Sequence, residues 1–121
     1  MKKLLIALLL VSPFSFSEWG DVYYCQMTSS VGTDAEGTVT QYKLEKFQFK
    51  LDKSQQAAVF GNSGYFKGYK TKLADWAKHG AEERWSAQMQ GNITKFNEGK
   101  FFSTSTYYDS ITAVSANCDK F

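Results

Sequence analysis

His79 is the chain's one histidine, and Glu82 and Glu83 follow it three and four residues on. A histidine beside carboxylates is the minimum for general acid–base work or a weak ion site. Asp75 adds a further carboxylate, so a carboxylate-based hydrolase is the chemistry this stretch could carry. A single imidazole rules out metal sites built on two or three histidines, and the His-Glu-x-x-His pattern is absent. The competing reading is a solvated histidine in a charged, Gly-flanked loop, and nothing in the surrounding sequence marks a perturbing pocket. We therefore expect no catalytic residues, no metal site and no cofactor.

Gly61-Asn62-Ser63-Gly64 looks like a nucleophile turn, but Gly-x-Ser-x-Gly requires glycine at 65, where Tyr65 stands. Gly61, Gly64 and Gly68 likewise fail both phosphate-loop spacings. Asn92-Ile93-Thr94 matches the glycosylation sequon, a pattern that also arises by chance. The aromatics offer more. Tyr107 and Tyr108 follow Ser103-Thr104-Ser105-Thr106, so one strand carries hydroxyls on both faces. If one face lines a cavity, it sets hydrogen-bonding groups beside tyrosine rings, a wall for a small ligand. Trp76 and Trp85 are candidates for exposed anchors to a partner. Against these readings stands a plainer one, in which the aromatics fill a small barrel and cover its rim.

The elements that would position such groups begin after residue 17. Lys2 and Lys3 precede an unbroken apolar run from Leu4 to Val11; Pro13 ends it, and Ser15-Phe16-Ser17 supplies a small-x-small exit. That is the pattern of a cleavable signal peptide over residues 1–17. The run is too short for the roughly 20 apolar residues of a membrane span, so no stable span is expected after cleavage. Residues 18–121 then form one exported domain, periplasmic or secreted. Without Lys2 and Lys3, twelve basic residues face twelve acidic ones. A neutral domain lacks the basic footprint of nucleic-acid binding.

Cys25 and Cys118 are the only cysteines. In an oxidising compartment an even pair reads as a disulfide, with two unrelated buried thiols as the alternative. No Cys-x-x-Cys spacing exists to support redox catalysis. The dominant signal between them is alternation. Phe47, Phe49 and Leu51 alternate with Lys46, Gln48 and Lys50; Tyr23, Cys25 and Met27 share a face, as do Trp85, Ala87 and Met89, and as do Thr112, Val114, Ala116 and Cys118. Ala57–Phe60 and Tyr65–Tyr69 read as short strands about a Gly-rich turn, and Val31–Gly37 as a loop. Asn97-Glu98-Gly99 fits a three-residue hairpin loop between Ile93–Phe96 and Phe101–Tyr108. Lys72–His79, with Gly80 as a stop, has the spacing of one short helix. Seven to nine short strands in a chain of this length predict an all-β fold, a small antiparallel meander barrel or sandwich. A disulfide between the ends requires the first and last strands to lie close.

Val22-Tyr23-Tyr24-Cys25 and Ala116-Asn117-Cys118-Asp119-Lys120-Phe121 resemble the terminal segments of a group of small exported proteins of unknown function from marine bacteria and their phages. A looser similarity is to the bacterial C-type lysozyme inhibitors, through Tyr23-Tyr24-Cys25, Ser63-Gly64-Tyr65 and Cys118; Lys67 stands where that family's loop motif has tyrosine. That second resemblance implies a β-barrel and inhibition of a cell-wall hydrolase. The sequence thus leads to a non-enzymatic binding or interaction module for a small ligand or an envelope protein. An inhibitor of a cell-wall hydrolase ranks second and a carboxylate hydrolase last.

Overall fold

A computed structural model describes residues 18–73 and 84–121. Among them are nine strands: β1 Val22–Asp34, β2 Val39–Gln41, β3 Lys46–Asp52, β4 Ala57–Phe60, β5 Lys70–Lys72, β6 Arg84–Met89, β7 Asn92–Asn97, β8 Lys100–Thr106 and β9 Ser110–Lys120. All pairings are antiparallel. The chain runs as a meander from β3 to β5 and from β6 to β9, and β9 returns to pair with β1. Between the two runs, Leu73 bridges to Ala87. The sheet therefore curls into a nearly closed barrel, the arrangement that leaves few strand edges open. β2 pairs only with the far half of β1, as a flap on the rim.

Alternation decides the facing. Phe47, Phe49 and Leu51 are buried while Lys46, Gln48 and Lys50 are exposed. Tyr23, Cys25 and Met27 point the same way from β1. In the barrel interior, Tyr23 stacks on Phe49 with centroids 5.1 Å apart, and Trp85 stacks on Phe96 at 5.6 Å. Such aromatic pairs contribute beyond the area they bury. Cys25 and Cys118 sit opposite each other in the β1–β9 ladder, Cα atoms 4.0 Å apart, joined as a disulfide. Its partners are ninety-three residues apart in sequence, so the bridge ties the first strand to the last in the middle of the sheet. A disulfide is compatible with an oxidising, exported location.

One irregularity sets the chemistry of the far end. The β1–β9 register shifts between Met27 and Ser29. Thr28 and Ser29 both face outward, so the parity of β1 flips and Ser30 and Gly32 become the inward residues. An extra residue in one strand does this wherever it occurs.

Several expected elements differ. Val31–Asp34 continues β1 instead of opening a loop. Tyr65–Tyr69 is a run of turns, not a strand; Gly64 (φ +87°) and Gly68 (φ +70°) are left-handed there, which breaks the extended path. The β7–β8 loop has two residues, since Asn97 pairs directly with Lys100 and both Glu98 and Gly99 adopt positive φ. That primed turn matches the twist of the flanking strands. β8 stops at Thr106, and Tyr107 belongs to the turn that follows, its N–H donating to the Ser110 carbonyl. Of the helix expected over Lys72–His79, Lys72 lies in β5 and Leu73 in the bridge; the remainder lies outside the described residues. The same holds for the signal peptide over residues 1–17.

Candidate functional site

Followed from one end of the barrel to the other, the inward positions change character. On β8 they run Phe101, Ser103, Ser105; on β7, Phe96, Thr94, Asn92; on β9, Ala116, Val114, Thr112; on β1, Met27, Ser30, Gly32. Aromatic and aliphatic groups thus give way to hydroxyls and an amide, at the Thr94–Ser103 level on β7, β8 and β1 (Ser30) and one level later, at Thr112, on β9. The ladder registers make the band continuous: Thr94 pairs with Ser103 and Asn92 with Ser105, Ser105 with Thr112, and Thr112 with Gly32.

Buried hydroxyls need partners, and here most find them in one another. Asn92 Nδ2 donates to Ser105 Oγ at 3.0 Å. Asn92 Oδ1 accepts from Thr94 Oγ1 at 3.3 Å and from Ser103 Oγ at 3.4 Å. Ser30 Oγ and Thr71 Oγ1 are buried with no hydrogen-bond partner among the described residues. Asn92 is half-buried with its amide engaged in its contacts with Thr94, Ser103 and Ser105.

The loop 61–69 between β4 and β5 roofs this end. Gly61 N–H donates to the Gln48 carbonyl at 3.0 Å, and Gly68 N–H donates back to Gly61 at 2.9 Å. Gly64 sits so close to β3 that a Cβ there would stand 2.5 Å from the Lys46 carbonyl oxygen. Phe66 turns inward, its ring 4.9 Å from Phe47 and 5.4 Å from Phe101. Opposite, Tyr42 lies across Gly32, where a Cβ would come within 3.0 Å of the ring.

Between roof and band lies an open cavity of about 450 Å³, walled by Tyr65, Phe66 and Tyr69 on the loop and by Asn92, Ser105 and Tyr107 on the barrel. This falls in the usual range for small-ligand sites, about 300–1,000 Å³. Burial pushes the Tyr65 phenol above its ordinary pKa, with Tyr107, Tyr42 and Glu45 adding to the effect. Among the described residues, Lys67 is the one charged side chain in the wall. Among the described residues, no cluster of His, Cys, Asp and Glu could hold a metal, and no helix is long and apolar enough to cross a membrane.

A second hollow of about 390 Å³ lies on the outer face of β3, β1 and β9, bordered by Tyr24, Gln26, Lys46, Gln48 and Ser63. Ser63 is an exposed turn residue there.

The residues singled out from sequence separate widely. Tyr107 stands in the mouth, 58 % exposed. Tyr108 is fully exposed in the β8–β9 turn, beside a different shallow hollow. Trp85 corrects the expectation of a surface anchor: 2 % exposed, it packs between Phe49 and Phe96 in the core. Its inward position on β6, alternating with exposed neighbours, is the physical reason. Trp76, Asp75, His79, Glu82 and Glu83 lie outside the described residues. Ser105, one of the hydroxyls expected to wall a ligand, does line the cavity, whereas the sequence reading does not mark Asn92, Tyr65 and Tyr69 as wall residues. The alternation Asn92, Thr94, Phe96 was the signal that could have found the first of them. The chain matches no family model, no curated protein and no solved structure.

Proposed function

We propose that this domain is a non-enzymatic binding module, exported from the cytoplasm, that holds a small ligand in the mouth of its barrel. The observation that carries the reading is the change of inward side chains from aromatic to hydroxyl and amide along β7 and β8, whose Asn92 and Ser105 line an open cavity. A barrel built only for stability would fill that end with apolar groups, since partly satisfied polar interiors are costly. Among the described residues the wall carries no carboxylate or imidazole, which supports binding over acid–base chemistry. A thermal-shift screen with soluble saccharides, nucleosides, amino acids and fatty acids tests it. A ligand at one hundred times its Kd stabilises by about 2.7 kcal/mol, a shift of several degrees. We expect such a shift in the wild type and none in the Asn92→Leu/Ser105→Val variant. Equal responses from the two proteins, or none from either, would overturn the reading.

A second reading rests on loop 61–69. Its backbone hydrogen bonds, the seat of Gly64 and the buried Phe66 hold it rigid, while Ser63, Tyr65 and Lys67 point out. A preorganised protruding loop suits an inhibitor, because little ordering entropy remains to be lost on docking. This agrees with the resemblance to C-type lysozyme inhibitors. Cell-wall lysis by a C-type lysozyme, titrated with the protein, checks it. Suppression relieved by Ser63→Arg supports inhibition, and undiminished lysis in molar excess overturns it.

A further inference from the structure

We propose that the ligand class of the barrel mouth is an uncharged saccharide, bound with one sugar ring against the tyrosines and its hydroxyls on the Asn92–Ser105 band; this rests on the mouth being a binding site. Three features of the wall converge on that chemistry.

The polar groups are of one kind. Asn92 and Ser105 in the wall are each able to donate and to accept and pair across β7 and β8, with Thr112 next to Ser105 on β9 behind them. Sugar hydroxyls have the same dual capacity, so each can satisfy a wall group in either sense. An anionic ligand only accepts. It would call for a cluster of cations, and among the described residues the wall offers Lys67 alone. A fatty acyl chain would cover Asn92 and Ser105 while leaving the hydrogen-bonding capacity beyond their mutual contact unmet.

The apolar part of the wall is made of rings. Tyr65, Tyr69 and Tyr107 stand around the polar band, and Tyr42 lies on Gly32 beside it. Tyrosine presents a flat apolar body with a polar tip, the complement of a pyranose, whose axial C–H groups form an apolar face edged by hydroxyls. The Tyr69 hydroxyl is buried without a partner among the described residues, although the residue borders the cavity.

The shape agrees as well. The cavity is open to solvent, so a ring seated in it can continue outward as a chain. An oligosaccharide end or internal unit therefore fits as readily as a free sugar.

Calorimetric titration of the purified, disulfide-bonded protein with chitotriose, cellotriose, maltotriose and laminaritriose tests the class. Adenosine and N-acetyltyrosinamide serve as non-sugar probes. At least one trisaccharide is expected to bind saturably, with Kd raised tenfold or more by Tyr107→Ala, little by Tyr107→Phe, and not by Tyr24→Ala on the opposite face. Binding of a non-sugar probe that Asn92→Leu abolishes, with all trisaccharides silent, would overturn the saccharide and leave the binding site standing. Silence of every probe would overturn both.

Discussion

Asn92 on β7 and Ser105 on β8 face each other across the ladder, and the amide nitrogen of one donates to the hydroxyl of the other at 3.0 Å. That contact closes the polar band at its open end. Removing one partner strands the other, a loss of about 1–3 kcal/mol for a buried group. Replacing both with apolar groups of similar shape can be close to neutral. We expect Asn92→Leu to destabilise the domain and Asn92→Leu/Ser105→Val to restore most of the loss, while ligand binding disappears in both. Chemical denaturation of the single and double variants checks the non-additivity.

The β1–β9 disulfide should matter for stability more than for form. β1 and β9 remain paired from Tyr23–Lys120 to Asp34–Ser110 without it, so Cys25→Ala/Cys118→Ala should keep the far-UV spectrum. Loop-closure entropy sets the loss at up to about 5 kcal/mol. A lowered midpoint with an unchanged spectrum is the expected result of thermal melts.

Phe49 is 1 % exposed, with ring centroids at 5.1 Å from Tyr23, 5.5 Å from Phe60 and 5.6 Å from Trp85. Phe49→Ala should cost about 3–5 kcal/mol in lost burial and cavity. Lys50→Ala, one position along on the wet face, should stay within about 0.5 kcal/mol. Urea titration of the two variants separates them.

Those three relationships show what a reader of the sequence can reach. Alternation along β3 fixed which side of Phe49 and Lys50 faces in, and the apolar faces of Cys25 and Cys118 anticipated the bridge. The β1 bulge left no such trace, because Thr28 and Ser29 are both polar and either parity reads as a strand. Ser30 and Gly32 at the mouth followed from it and were invisible. Hydroxyls on both faces of β8 hinted at a ligand wall, yet alternation alone could not say that Ser103 and Ser105, not Thr104 and Thr106, turn inward. Tyr65–Tyr69 looked like a strand because its aromatics carry β propensity, whereas the left-handed glycines on either side of Phe66 dictate turns. Trp85 reads as an anchor or as core from the sequence, since size and aromaticity serve both equally, and the structure places it in the core.

Gly64 and Gly68 should respond differently to the same change. Both need left-handed backbone, worth about 1–2 kcal/mol against alanine, but only Gly64 is pressed on the Lys46 carbonyl, while the space around Gly68 is open. Gly68→Ala is expected to cost that strain and keep the roof in place. Gly64→Ala should also displace the loop, seen as lost hydrogen-exchange protection at the Gly61 and Gly68 amides.

The most direct measurement is a map of backbone amide shifts as the ligand found in the thermal screen is titrated in. If the barrel mouth is the site, saturable shifts should cluster at residues 65–69, 92–94 and 103–107 and spare Tyr24, Gln26 and Gln48 on the outer sheet. Shifts confined to that outer face, or spread evenly over the barrel, would contradict the account.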